Sequence, residues 1–133
     1  MMALGDVLNS AEPRRFWTYF VTAPSGLVKI GWSSNLYRRL AEIGRWSPVD
    51  LRLIAAACEG IRDMERKSTI EVDAHKVFRS KRRHGEWFEI TPDDICGFLS
   101  TYNRLGVRSY LVHGVCSPLG DFSRIETHSR AAA

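Results

Sequence analysis

Two short apolar runs joined by a proline-glycine turn constrain the fold more than any other stretch. Phe16 to Thr22 is aromatic and β-branched, Leu27 to Gly31 is a second such run, and "APSG" lies between them, so the pair reads as a β-hairpin. With Val21 set opposite Leu27 around a loop at Ala23, Pro24 and Ser25, the antiparallel register puts Tyr19 opposite Lys29. Both side chains then leave the same face. A lysine inside an apolar strand is either a solvated strand residue or a group aimed at an anion.

A helix follows the hairpin. Ser33 or Ser34 can cap it, Leu36, Leu40 and Ile43 form its apolar stripe, and Gly44 and Pro48 mark its end. At about 100° per residue, Arg39 lies on the flank of that stripe and Arg38 almost opposite it. The twin arginines are therefore not equivalent: Arg39 leans toward the sheet and Arg38 toward water. "LRLIAAACEG" at 51–60 reads as a third strand buried on both faces.

A long helix is expected from about Arg62 to about Ser80, with a stripe of Ile70, Ala74 and Val77 and a second row of Glu71, His75 and Phe78 beside it. Glu71 borders the core side, whereas Glu65 turns toward solvent. Gly85 ends the basic segment that follows, and Trp87 to Ile90 returns as a short strand. "TPDD" opens another helix with Thr91 as cap and Pro92 first, its apolar face made of Ile95, Phe98, Leu99 and Tyr102. "VRSYLVHGV" reads as one more strand, and "SRIETHSRAAA" as a frayed polar end.

These elements predict an α+β fold, a small central antiparallel sheet flanked by helices. With 133 residues, 44% of them hydrophobic, the expectation is one domain at 15–103 between an N-terminal extension at 1–14 and a C-terminal extension at 104–133. Cys58, Cys96 and Cys116 are widely spaced and odd in number, which indicates neither a disulfide framework nor a zinc site. Reduced thiols, no signal peptide and no membrane span predict a cytoplasmic protein. The net charge of +4 fits an anionic partner without establishing one.

"TYFV", "LVKIGWSSNLYRRL" and "IEVDAHKVFRSKRRHGEWF", taken in order, resemble the GIY-YIG nuclease superfamily, in particular its small phage and bacterial branch with a KIG second motif and a GEWF-like ending. The resemblance covers roughly residues 16 to 90. It implies that Tyr19 matches the GIY tyrosine, Lys29 the first position of YIG, Gly31 its glycine, Arg39 the helix arginine and Glu71 the metal-binding glutamate. Two departures stand out: GIY is Thr18-Tyr19 preceded by Trp17 rather than glycine, and lysine replaces the YIG tyrosine.

The implied activity is metal-dependent endonucleolytic hydrolysis of DNA phosphodiester bonds, RNA remaining a further possible substrate. Such cleavage needs an activated water, neutralisation of charge growing on the phosphate, and help for the departing oxygen. Glu71 is a hard oxygen ligand suited to one Mg²⁺ or Mn²⁺, and Arg39 is a forked, permanently charged group suited to phosphate. Tyrosine and lysine are mostly protonated near neutrality. Lys29 then either acts as base with a depressed pKa or grips phosphate while Tyr19 orients or deprotonates the water. His75, one turn from Glu71, is a candidate proton shuttle or a support for the metal ligand.

Arg38 with Lys76, Arg79, Lys81, Arg82 and Arg83 would extend a phosphate-tracking surface that is non-specific and salt-sensitive. Trp87 and Phe88 read as core or strand residues and Glu86 as a partner to a nearby base or backbone donor. Trp32 and Trp46, flanking the first helix, fit either packing or stacking. The rival from another class is a catalytically silent nucleic-acid-binding module of the same fold, favoured by the lysine in the tyrosine's place. With no attached module of obvious size, substrate specificity would come from DNA structure or from a protein partner.

Overall fold

A computed structural model describes residues 15–60 and 70–101, together with the backbone of two strands at 107–112 and 127–131. In chain order the strands are β1 (Arg15–Thr22), β2 (Val28–Ser33), β3 (Arg52–Gly60), β4 (Arg82–His84), β5 (Trp87–Phe88), β6 (Val107–Val112) and β7 (Thr127–Ala131). They form one sheet in the order β4-β5-β2-β1-β3-β6-β7, and every neighbouring pair is antiparallel. The fold is α+β. β1 and β3 are central, which accounts for the unbroken apolar run of β3: Leu53, Ala55, Ala56 and Ala57 have no exposed surface.

Helix α1 (Leu36–Trp46) covers one face of this sheet, while α2 (Ile70–Val77) and α3 (Pro92–Ser100) cover the other. The α1 face gathers Trp17, Tyr19, Val21, Leu36, Leu40 and Leu53 into one core. Phe20, Ile30, Ile70, Ala74, Phe88, Ile95 and Phe98 form the second core on the opposite face. Alternation along β1 thus feeds two layers, so a tyrosine on one face and a helix on the other flank the same strands.

The hairpin register differs from expectation by two residues. Tyr19 pairs with Gly31 and Val21 with Lys29. Ala23 closes on Leu27, its N–H donating to the Leu27 carbonyl at 3.0 Å, and Gly26 adopts a φ of 87°. The loop is therefore Pro24, Ser25 and Gly26, a tight turn whose last residue needs the left-handed backbone that glycine adopts freely. A slip of two keeps the facing unchanged, so Tyr19 and Lys29 still share a face.

Helix boundaries moved for local reasons. The cap of α1 is Asn35, which accepts from the Arg38 N–H at 3.1 Å, because β2 runs on to Ser33 and the Ser33 hydroxyl is spent bridging Asn35. Gly44 lies inside the helix, which ends at Trp46 with Ser47 as its C-cap. Thr91 and Asp94 form a reciprocal capping box at the start of α3, with Pro92 first, as expected. Tyr102 and the stretch at 61–69, which includes Glu65, lie outside the described residues, as does Cys116. Cys58 and Cys96 are free thiols.

Helix α2 stops at Val77, short of the expected Ser80. Val77 is exposed, and Phe78 takes its place in the core. The buried arc is turned from the first predicted row toward the second, which brings Glu71 and His75 closer to the sheet. The basic run is consequently split. Arg79–Lys81 is a single 3₁₀ turn, and Arg82 and Arg83 stand on β4 at the sheet edge. Beyond residue 103 the sheet continues through β6, as anticipated, and through β7 within the stretch expected to fray. Pairing with β6 supplies the backbone partners that this polar sequence does not advertise.

Candidate functional site

Tyr19 is buried, 1% exposed, and its ring lies across the face of Gly31 on the neighbouring strand. A Cβ at position 31 would overlap the Tyr19 hydroxyl and the carbon that bears it. That close approach explains why the motif needs glycine here. The Tyr19 hydroxyl meets the Arg39 guanidinium, which descends from α1. Burial pushes the phenol above its ordinary pKa while Arg39 pulls against it, and the bond to Tyr19 raises Arg39 further. Tyr19 is thus enclosed between Gly31 and the Arg39 guanidinium.

Gly31→Ala tests this packing. Overfilling a tight site costs typically about 1–3 kcal/mol, so urea unfolding should show a loss of that order. In a Tyr19→Leu background the same change should cost much less. Equal losses in both backgrounds would mean that the tyrosine does not require the glycine.

Arg39 remains about half exposed, with its Nη1 3.6 Å from Glu42, so the fork is held from below and open above. Arg38, 77% exposed, pairs through Nε with the other oxygen of Glu42 at 3.1 Å. Lys29, on the same sheet face as Tyr19, places its ammonium 3.4 Å from Glu86 and 5.8 Å from the Trp87 ring centre. The expected partner role of Glu86 and strand role of Trp87 are both met.

Glu71 approaches from the opposite face. β5 pairs with β2 only at Val28 and Lys29, and the Glu86 carbonyl accepts the Ile30 N–H. At that point His75 takes over the edge: its Nε2 lies 3.0 Å from the Ile30 carbonyl and 3.1 Å from Glu71 Oε1. Both are acceptors, so Nε2 carries the proton. His75 is also packed edge-on against Phe88, with centroids 4.9 Å apart. Of the two roles anticipated for His75, this geometry favours the support of Glu71.

The start of α2 is held by a residue that the sequence analysis did not select. Glu59, buried at the end of β3, accepts the Ile70 N–H at 3.0 Å. Its partner is eleven residues away, so no local motif marks it. A carboxylate at a helix start is favourable and fixes where Glu71 emerges.

Glu71 is mostly buried, and that burial holds its carboxyl above the usual range, with His75 opposing and Glu86 adding to the rise. Glu86 and Glu71 also both act on Tyr19. The groups contributed by α1, by α2 and by the β4–β5 hairpin thus share one electrostatic neighbourhood around the bare Gly31. A cation would relieve the strain on the Glu71 carboxylate. Among the described residues no three His, Cys, Asp or Glu side chains converge on one point. Glu71 could offer one carboxylate to a hydrated hard ion, which needs few protein ligands.

The basic residues are less unified. Lys76, Arg79 and Lys81 are exposed. Arg82 donates to the Gly85 carbonyl at 2.6 Å and Arg83 pairs with Glu89. Those two brace the edge hairpin and discourage strand addition, so any phosphate track rests chiefly on the first three.

A family model described as the T5orf172 domain matches residues 17–102. No curated protein and no solved structure matches the chain. Among the described residues no helix is long and apolar enough to cross a membrane.

Proposed function

The chain belongs to the T5orf172 domain family, and from that premise we propose that it is a metal-dependent DNA endonuclease of GIY-YIG type. Family membership supports a nucleic-acid-related function. The observation that carries the finer reading is that two neighbouring residues of β2 are engaged from opposite faces: Tyr19, beside Arg39, lies over Gly31, and His75, which supports Glu71, reaches the Ile30 carbonyl.

In this reading Glu71 would hold one Mg²⁺ or Mn²⁺, whose chemistry when bound would be to acidify a water and to stabilise the departing oxygen. Arg39 presents its fork to the phosphate oxygens as charge accumulates on them. Tyr19 fixes Arg39 from beneath and is a positioning residue. His75 donates to the strand edge and supports the Glu71 carboxylate from 3.1 Å away. Lys29, placed beside Glu86, contacts the incoming phosphate.

The Lys29–Glu86 pair also favours the second reading, a silent binding module, because it gives the lysine a structural partner. Supercoiled plasmid separates the two. The nuclease produces nicks with Mn²⁺ or Mg²⁺ and stops when EDTA is added. A purified chain that retards DNA but leaves plasmid intact with either ion is the silent module.

A further inference from the structure

Beside Arg39 a cleft of about 390 Å³ opens, within the range that small ligands fill. Its two ends differ in chemistry. Lys29 and Arg39 provide cations, with Trp87 beside Lys29, while Trp46 and Pro48 provide apolar wall. Glu42 also lines it, but both its oxygens are engaged by Arg38 and Arg39.

Trp46 is 81% exposed, the most exposed of the large hydrophobic residues described. A tryptophan left in water forgoes most of its burial free energy. The wall beside it is not loose. Ser47 caps α1, its hydroxyl donates to the Val49 carbonyl at 2.7 Å, and the Val49 N–H returns a bond to that hydroxyl at 3.2 Å. The indole is thus presented from a braced helix end.

Resting on the nuclease reading, we propose that this cleft binds a nucleobase of the substrate strand, stacked on Trp46, while the strand's phosphate lies on Arg39 and Lys29. An apolar ring beside a cationic end is the complement of a nucleotide. Stacking accepts any base, because every base has a π-face. A base held inside a duplex must first be unstacked at an energetic cost, so the cleft favours strands with an unpaired nucleotide near the cut.

The test uses the full chain in EDTA, where cleavage is stopped, and fluorescence anisotropy with two labelled probes. One is a ten-nucleotide thymidine oligomer and the other an abasic oligomer of equal length and charge. Wild type should prefer the thymidine probe by about tenfold, the scale of one stacked base. Trp46→Ala should bring the ratio near one with little change for the abasic probe, and Trp46→Phe should keep most of the preference. Equal affinity of wild type for both probes, or a preference that survives Trp46→Ala, overturns the proposal. Plasmid nicking by wild type is scored separately, so a failure of the nuclease reading is recognised independently of the base preference.

Discussion

Glu71→Gln lowers single-turnover plasmid nicking by at least about 10³-fold, the scale expected when several kcal/mol of metal-assisted stabilisation is removed. Glutamine keeps the size of the side chain and an oxygen toward His75 but removes the charge that would hold the ion. Folding should not suffer. The native carboxyl is raised by burial, so the stability linked to its protonation is present at low pH and lost as pH rises through the raised value. At neutral pH the neutral glutamine should therefore melt no lower than wild type. The same shift sets a pH dependence. Without an ion bound, Glu71 begins to protonate at a higher pH than an ordinary carboxyl, so metal affinity should fall early on acidification. Titrating Mn²⁺ against nicking rate at stepped pH checks this, and a loss that follows the ordinary glutamate value of 4.5 would contradict it.

Arg39→Ala should cost about 10²–10³-fold in the same assay, as removal of a preorganised donor to developing charge does. DNA affinity should change far less, because Lys29 and the exposed Lys76, Arg79 and Lys81 remain. Arg39→Lys should recover little. A lysine offers a point charge where the site holds a fork between Tyr19, Glu42 and the phosphate. Arg38→Ala is the control one residue away: it loses an exposed pair with Glu42 and should leave the rate within a few-fold of wild type. Comparable losses at both positions would point to general electrostatic attraction rather than a placed guanidinium.

The distinction between those arginines was legible from helical period alone, because both the stripe and its flank are local properties of Leu36, Leu40 and Arg39. The cap of α3 was equally legible: Thr91, Pro92 and Asp94 carry it within four residues. The choice of Glu71 also rested on period, although the helix is shorter than expected and turned toward its second row. What the residues concealed involves distant partners. Glu59 reads as an ordinary acid at a strand end until Ile70 is brought over it. The enclosure of Tyr19 between Gly31 and Arg39 depends on a hairpin register that turns on the positive φ of Gly26. Arg82 and Arg83 read as part of a basic run, yet the hairpin turns them to bracing contacts with Gly85 and Glu89.

The central claim is that Arg39 and Glu71, from opposite faces of one sheet, serve a single phosphate. Single-turnover nicking in Mn²⁺ by wild type, Arg39→Ala, Glu71→Gln and the double variant tests it most directly, because groups acting as one unit are not additive. The double variant should be about as slow as the slower single variant, whereas losses that multiply would mean that the two groups act independently. Nicking by either single variant at more than about a tenth of the wild-type rate would contradict the account, since losses at this scale are what a working phosphate clamp entails.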